Sequence, residues 1–189
     1  MENVLRVSEV GPGPIGNEKF IIFEDCIDGL ENVQQHTWFN GEFNKQFQFQ
    51  NKYRKYNLRQ YNMTNKAVTD QVGSDIAKYI DLPKGVWSNG LQELVGPDGN
   101  SAIPPHSDEG PFEGVKRFGG LTIFLNNDWN VQWGGWNFLL EEETNSITKV
   151  TVPSFNIGIW IPAGLLHGAV PVYSGHVRRT LQMFYNYES

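Results

Sequence analysis

From residue 86 onward the chain is a succession of short strand-forming runs broken by glycine, proline and asparagine. Gly119-Gly120 leads into Leu121, Thr122, Ile123, Phe124 and Leu125, and Asn126-Asn127-Asp128 is a turn signal. Gly134-Gly135 opens a run over 136–140, a polar turn follows at 141–146, and further runs cover 147–152, 155–161 and 177–185. Many short strands with this punctuation predict a β-sandwich or barrel. The composition agrees: 20 Gly, 10 Pro and 13% aromatic residues against only 19% charged suit strands and tight turns better than a helical bundle.

The first 85 residues read as support for that β core. Residues 1–20 contain Gly11, Pro12, Gly13 and Pro14 and predict an arm that pairs only at a sheet edge. Ile27, Leu30 and Val33 lie three apart, predicting a short helix over 24–35; Val68, Val72, Ile76 and Ile80 recur every fourth residue, predicting a second over 67–80. Between them, residues 43–69 contain no acid and hold six of the fifteen basic residues, interleaved with Tyr53, Tyr56 and Tyr61. A nucleic-acid strip can look like this, and so can a strip that guides an acidic substrate. The favoured reading is an edge strand whose lysines discourage pairing with another molecule. No repeat or linker divides the 189 residues, so a single domain spanning 1–189 is expected.

A net charge of −6 disfavours a general nucleic-acid binder. One cysteine, Cys26, cannot form an intrachain disulfide, and the start of the chain has neither a basic cluster nor an apolar run. The most apolar stretch, 155–166, is too short to span a bilayer and contains Pro162. A cytoplasmic protein without membrane segments is therefore expected; oligomeric state is not legible.

Four residues carry candidate chemistry. His106-Ser107-Asp108 places an imidazole and a carboxylate two positions apart, on one face if the segment is extended. His167 follows after four predicted strands, and a barrel can bring the two ends together. Two imidazoles and one carboxylate on one face of an octahedral ion leave three positions open. Arg178 begins the next strand. Period-two alternation sends Arg178, Thr180, Gln182 and Phe184 to one face and Arg179, Leu181 and Met183 to the other, which favours Arg178 over Arg179 as the residue facing a polar pocket. His176 is a rival ligand, read as a surface group because it would crowd Arg178. Glu141-Glu142-Glu143 is read as a solvated turn.

The ordered set of His-x-Asp, β-rich gap, distal His and Arg resembles the iron(II)/2-oxoglutarate oxygenase superfamily, closest to its prolyl hydroxylase branch. The similarity runs over about 91–186. A strand ending in Leu125-Asn126, the Asp128-Trp129 turn, Gly134-Gly135, and the frame from Arg178 to Tyr185 all fit the family's wording. The resemblance implies a mainly β fold, the double-stranded β-helix (a cupin-like jelly-roll) braced by a few helices, with 86–189 as the catalytic core. It also implies iron(II) held by His106, Asp108 and His167, and 2-oxoglutarate as cosubstrate, its distal carboxylate paired with Arg178. Dioxygen is the co-reactant, and ascorbate is a candidate accessory reductant.

One departure stands out. Many prolyl hydroxylases carry a Tyr where Phe124 stands, so Thr180, Thr122 or Asn137 must supply the missing donor to the cosubstrate. Ile159, Ile161, Phe184 and Trp160 are the expected apolar walls around the metal. The implied activity is hydroxylation of an unactivated C–H bond, with peptidyl proline the leading substrate. A free amino acid or small metabolite is the alternative, and a non-catalytic β-barrel binding module is the rival from another class.

Overall fold

A computed structural model describes residues 5–12, 19–30, 45–50, 55–61, 66–95, 101–110 and 114–188. Among these residues twelve strands and one α-helix follow in order: β1 Arg6–Pro12, β2 Lys19–Glu24, β3 Lys45–Gln50, β4 Lys55–Tyr61, α1 Lys66–Ile76, β5 Gly85–Val95, β6 Ser101–His106, β7 Arg117–Phe124, β8 Asn137–Glu141, β9 Ser146–Thr151, β10 Gly158–Pro162, β11 His167–Val172 and β12 Val177–Tyr187. An eight-stranded sheet runs β1-β2-β10-β7-β12-β5-β4-β3, facing a four-stranded sheet β6-β11-β8-β9. Every pairing is antiparallel. No described helix is long and apolar enough to cross a membrane.

Alternation along β7 and β12 builds both faces of the larger sheet. Leu121, Ile123, Leu181, Met183 and Tyr185 point outward into a core completed by Val72 and Ile76 of α1, Phe23, and Trp160. The inner face carries Ile22, Ile159 and Ile161, which pack with Leu139 and Leu165 between the sheets. Trp160 therefore does not line the interior, contrary to the expectation from sequence. It lies between Ile159 and Ile161 on β10, so the pleat turns it to the outer face, edge-on to Trp87. Gly119 makes room for it, since a Cβ there would lie 2.3 Å from its indole.

The predicted helix over 24–35 is not formed in its described part. β2 continues to Glu24, and residues 27–30 form a turn; 31–35 lie outside the described residues. The cause is Asn156, buried at φ +58°, which accepts from Ile27 N and donates to Ile27 O at 2.9 Å each. The same asparagine delays the strand expected from 155, which begins only at Gly158. The second helix is shorter than predicted, ending at Ile76, with a turn carrying the chain to Ile80. At the sheet margins, β1 is one edge strand and the β3–β4 hairpin the other, with β3 outermost, so the basic strip forms an edge. The side chains of that hairpin lie outside the described residues.

Candidate active site

His106 ends β6 and His167 opens β11, and the two are direct register partners in the smaller sheet. Neighbouring strands thus set the imidazoles side by side, with ring centroids 4.4 Å apart. Asp108 sits just past the end of β6, fixed by its amide donating to Ala163 O at 2.8 Å. Its Oδ1 lies 4.0 Å from His106 Nε2 and its Oδ2 3.9 Å from His167 Nε2. Each ring has Nδ1 against a backbone carbonyl, Pro104 O at 2.9 Å for His106 and Leu165 O at 2.8 Å for His167. A nitrogen facing a carbonyl must be the donor, so both rings hold a proton on Nδ1, which leaves Nε2 as the nitrogen that can ligate a metal. Burial lowers the His167 pKa, as does the neighbouring His106, with Asp108 opposing.

Two imidazoles and a carboxylate are the donor set of a non-haem iron site, and their chemistry fits that ion. The spacing is open, however. Adjacent donors around an octahedral ion with ~2.1 Å bonds stand ~3 Å apart, about 1 Å closer than here. Among the described residues no group of three His, Cys, Asp or Glu is closed tightly enough to coordinate an ion as it stands. Closing the set requires the Asp108 carboxylate to move, and that carboxylate is engaged by Arg117, whose Nη1 donates to Oδ1 at 2.7 Å.

Sequence alternation missed Arg117. Counting back from Phe124 in steps of two places Phe118 inside and Arg117 outside. The register with β12 passes from Tyr185↔Gly119 directly to Asn186↔Arg117, so Phe118 is an extra, bulged residue. The bulge reverses the two side chains. Phe118 turns outward to Trp160 and Tyr185, while Arg117 turns inward and lies 3.8 Å from the centroid of the Phe184 ring. Arg117 also borders a surface cleft of about 760 Å³ beside the Asp108 loop, whose other walls include Glu109, Lys116, Tyr79, Trp160 and Tyr187.

Arg178 lies deep between the sheets, 1% exposed. Its Nη1 donates to Gly135 O at 2.8 Å and Asn137 Oδ1 at 2.7 Å, its Cζ is 5.8 Å from the centre of the Phe124 ring, and its Nε has no partner. Among the described residues no carboxylate pairs with it. Burial pushes its pKa down to about 10, which still leaves it cationic at neutral pH. An uncompensated buried cation with an orphan N–H is costly, and a bound anion resolves both defects. The Gly134-Gly135 turn makes this possible, with φ values of +73° and +70°. A Cβ on Gly135 would come within 3.2 Å of Arg178 Cδ.

The remaining polar residues of the interior form a chain. Thr122 Oγ1 donates to Gln182 Oε1 at 2.9 Å, and Gln182 Nε2 donates to Thr180 Oγ1 at 3.4 Å. Arg179 points the other way and pairs with Glu93 at 2.9 Å. His176 stacks on Trp133 at 4.1 Å, in the turn before β12. The structure thus brings His106, Asp108 and His167 to one place, and groups Arg178, Asn137, Phe124 and Thr180 at another along the same interior.

No family model matches the chain, and no curated protein matches it. Solved structures do. A prolyl hydroxylase from Trichoplax adhaerens, in complex with a hypoxia inducible factor oxygen degradation domain peptide fragment, is 18% identical and superimposes with a TM-score of 0.60 over 88% of this chain and 83% of that one. A 2OG-Fe(II) oxygenase family oxidoreductase from Burkholderia pseudomallei gives a TM-score of 0.65 at 10% identity, covering 88% and 84%. The viral collagen prolyl hydroxylase of Paramecium bursaria Chlorella virus-1 gives 0.59 at 12% identity, covering 89% and 96%. The fold is thus the double-stranded β-helix of the 2-oxoglutarate/iron(II) oxygenases. Within that class, the prolyl hydroxylases are among the structures it resembles.

Proposed function

We propose that the chain is an iron(II)- and 2-oxoglutarate-dependent dioxygenase that hydroxylates an unactivated C–H bond. The observation that carries this reading is Arg178, a buried guanidinium without a carboxylate partner among the described residues, in the interior that also holds the imidazole–carboxylate set. In this reading His106 Nε2, His167 Nε2 and Asp108 hold the iron. Arg178 takes the distal carboxylate of 2-oxoglutarate, as suits a planar fork of donors. Asn137 turns its Oδ1 to Arg178, which can only donate, so its amide N–H groups face away and are free to join Arg178 on that carboxylate. The Thr180 hydroxyl, accepting from Gln182, has its own proton to offer. Together these donors stand in for the hydroxyl that Phe124 lacks.

Bound iron supplies dioxygen activation, coupled to oxidative decarboxylation of 2-oxoglutarate to succinate and carbon dioxide, with the second oxygen atom entering the C–H bond. The protein contributes orientation and exclusion of water: Ile159, Ile161, Leu139 and Leu165 form a dry wall between the sheets. For the substrate we favour a peptidyl proline. The likeness to a prolyl hydroxylase complexed with a peptide supports this. A free amino acid or small metabolite is the second reading. The test is incubation with iron(II), ascorbate, 2-oxoglutarate and proline-containing peptides, followed by assay for succinate and for a peptide gaining one oxygen. Succinate without a modified peptide moves the substrate to the small-molecule class. A protein that forms no succinate and binds no 2-oxoglutarate in the presence of metal is instead a binding module.

A further inference from the structure

We infer that Arg117 is a positioning residue that keeps Asp108 a one-oxygen ligand, so that a third coordination position stays open beside the two that the cosubstrate takes. The inference rests on the metal-site reading above and extends it to a residue outside the ligand set. Three observations carry it. The bulge at Phe118 exists in a strand otherwise paired without interruption from Phe124 to Gly119, and its effect is to turn Arg117 inward. The guanidinium is then clamped, with its face 3.8 Å from the Phe184 centroid and its Nη1 2.7 Å from Asp108 Oδ1. It is also largely buried, its side chain 17% exposed against 13% for Asp108, so bulk water competes weakly for the bond.

The consequence follows from counting. A facial set of two imidazoles and one carboxylate oxygen leaves three positions on an octahedral ion. A carboxylate that chelates through both oxygens takes one of those three and leaves two, which the cosubstrate alone fills. With Oδ1 engaged by Arg117, Oδ2 is the oxygen without a partner among the described residues, and it lies 3.9 Å from His167 Nε2. Phe184 packs against the guanidinium, and the position of the bond along the carboxylate selects which oxygen is left to the metal.

The experiment uses the full chain loaded with Co(II), which reports its coordination in the visible spectrum and does not turn over. Co(II) binding, azide binding to the cobalt form saturated with 2-oxoglutarate, and thermal melting are compared in wild type, Arg117→Met and Arg117→Lys. Arg117→Met is expected to bind Co(II) at least as well as wild type, with a changed visible spectrum, while azide affinity of the 2-oxoglutarate-loaded form falls about 10–100-fold. Arg117→Lys, which can still occupy Oδ1 as a point donor, is expected to recover most of that loss. The inference is overturned if azide binds loaded Arg117→Met within about twofold of wild type, or if loaded wild type takes up no azide. It is equally overturned if Co(II) and azide binding fall together with the melting temperature and lysine restores nothing. A wild type that takes up no Co(II) overturns the metal-site reading itself, and this inference with it.

Discussion

Arg178 Nη1 donates to Asn137 Oδ1 across 2.7 Å, joining β12 of the larger sheet to β8 of the smaller one. The bond is a cross-brace of the barrel and also fixes the orientation of a cation that no carboxylate of the described residues balances. Removing both partners separates the two roles. In the double variant Arg178→Met/Asn137→Leu, stability to denaturant is expected to fall by only about 1–3 kcal/mol, because apolar replacement of the side-chain pair is close to neutral and the cost left is that of Gly135 O losing its donor. Binding of 2-oxoglutarate to the metal-loaded protein is expected to vanish, measured by calorimetry.

Thr180 is the finer probe of the same pocket. Thr180→Val keeps the shape and deletes one hydroxyl at a residue 1% exposed. Loss of one hydrogen bond to an ionised group is worth about 1.5–3 kcal/mol, so 2-oxoglutarate affinity is expected to fall at least tenfold while metal affinity stays unchanged. Equal affinity in both proteins would remove Thr180 from the cosubstrate site.

His106→Ala and His167→Ala are each expected to abolish Co(II) or iron(II) uptake, read by metal analysis after desalting. They differ in their effect on the fold. The His106 side chain is 41% exposed and that of His167 only 16%, so the His167 variant loses more stability.

The metal-free protein should also respond to pH through His167. Its pKa is lowered by burial from the ordinary 6.5, so the unfolded chain binds the proton more readily than the folded one. Stability is therefore full above about pH 6.5 and declines on acidification until the lowered folded value is passed. Denaturant melts of chelator-treated protein between pH 8 and 5 should show the decline, and His167→Gln should flatten it.

The Gly134-Gly135 turn is expected to tolerate no side chain. A Cβ on Gly134 would lie 2.0 Å from Pro171 O, a backbone atom that cannot yield, and the residue sits at φ +73°. Gly134→Ala is expected to destabilise the protein by about 2 kcal/mol or more in chemical denaturation. Gly135→Ala, facing Arg178 Cδ at 3.2 Å, should weaken 2-oxoglutarate binding as well.

Much of this was readable from residue order alone, for a local reason. The β-rich half is written in turn residues and alternation, and the split of β12 into an inner face of Arg178, Thr180 and Gln182 and an outer face of Leu181 and Met183 follows from the pleat. Trp160 was misplaced because its bulk and apolarity suit either face, and the parity of β10 against its neighbours decides which. The helix expected over 24–35 failed in its described part because Asn156, more than a hundred positions away, claims the backbone of Ile27. No local periodicity carries that information.

The sequence by itself determined the chemical inventory: which side chains can bind metal, which can bind a carboxylate, and which side of a strand each shares. Tertiary structure alone decided the distances. It set His106 opposite His167 through strand pairing, buried Arg178 with no carboxylate of the described residues beside it, and turned Arg117 onto Asp108 with one extra residue in β7. The physical reason is that pleat and turn are properties of neighbouring residues. Register and bulges depend instead on how separate strands share hydrogen bonds, and a shift of one residue sends a side chain to the opposite face.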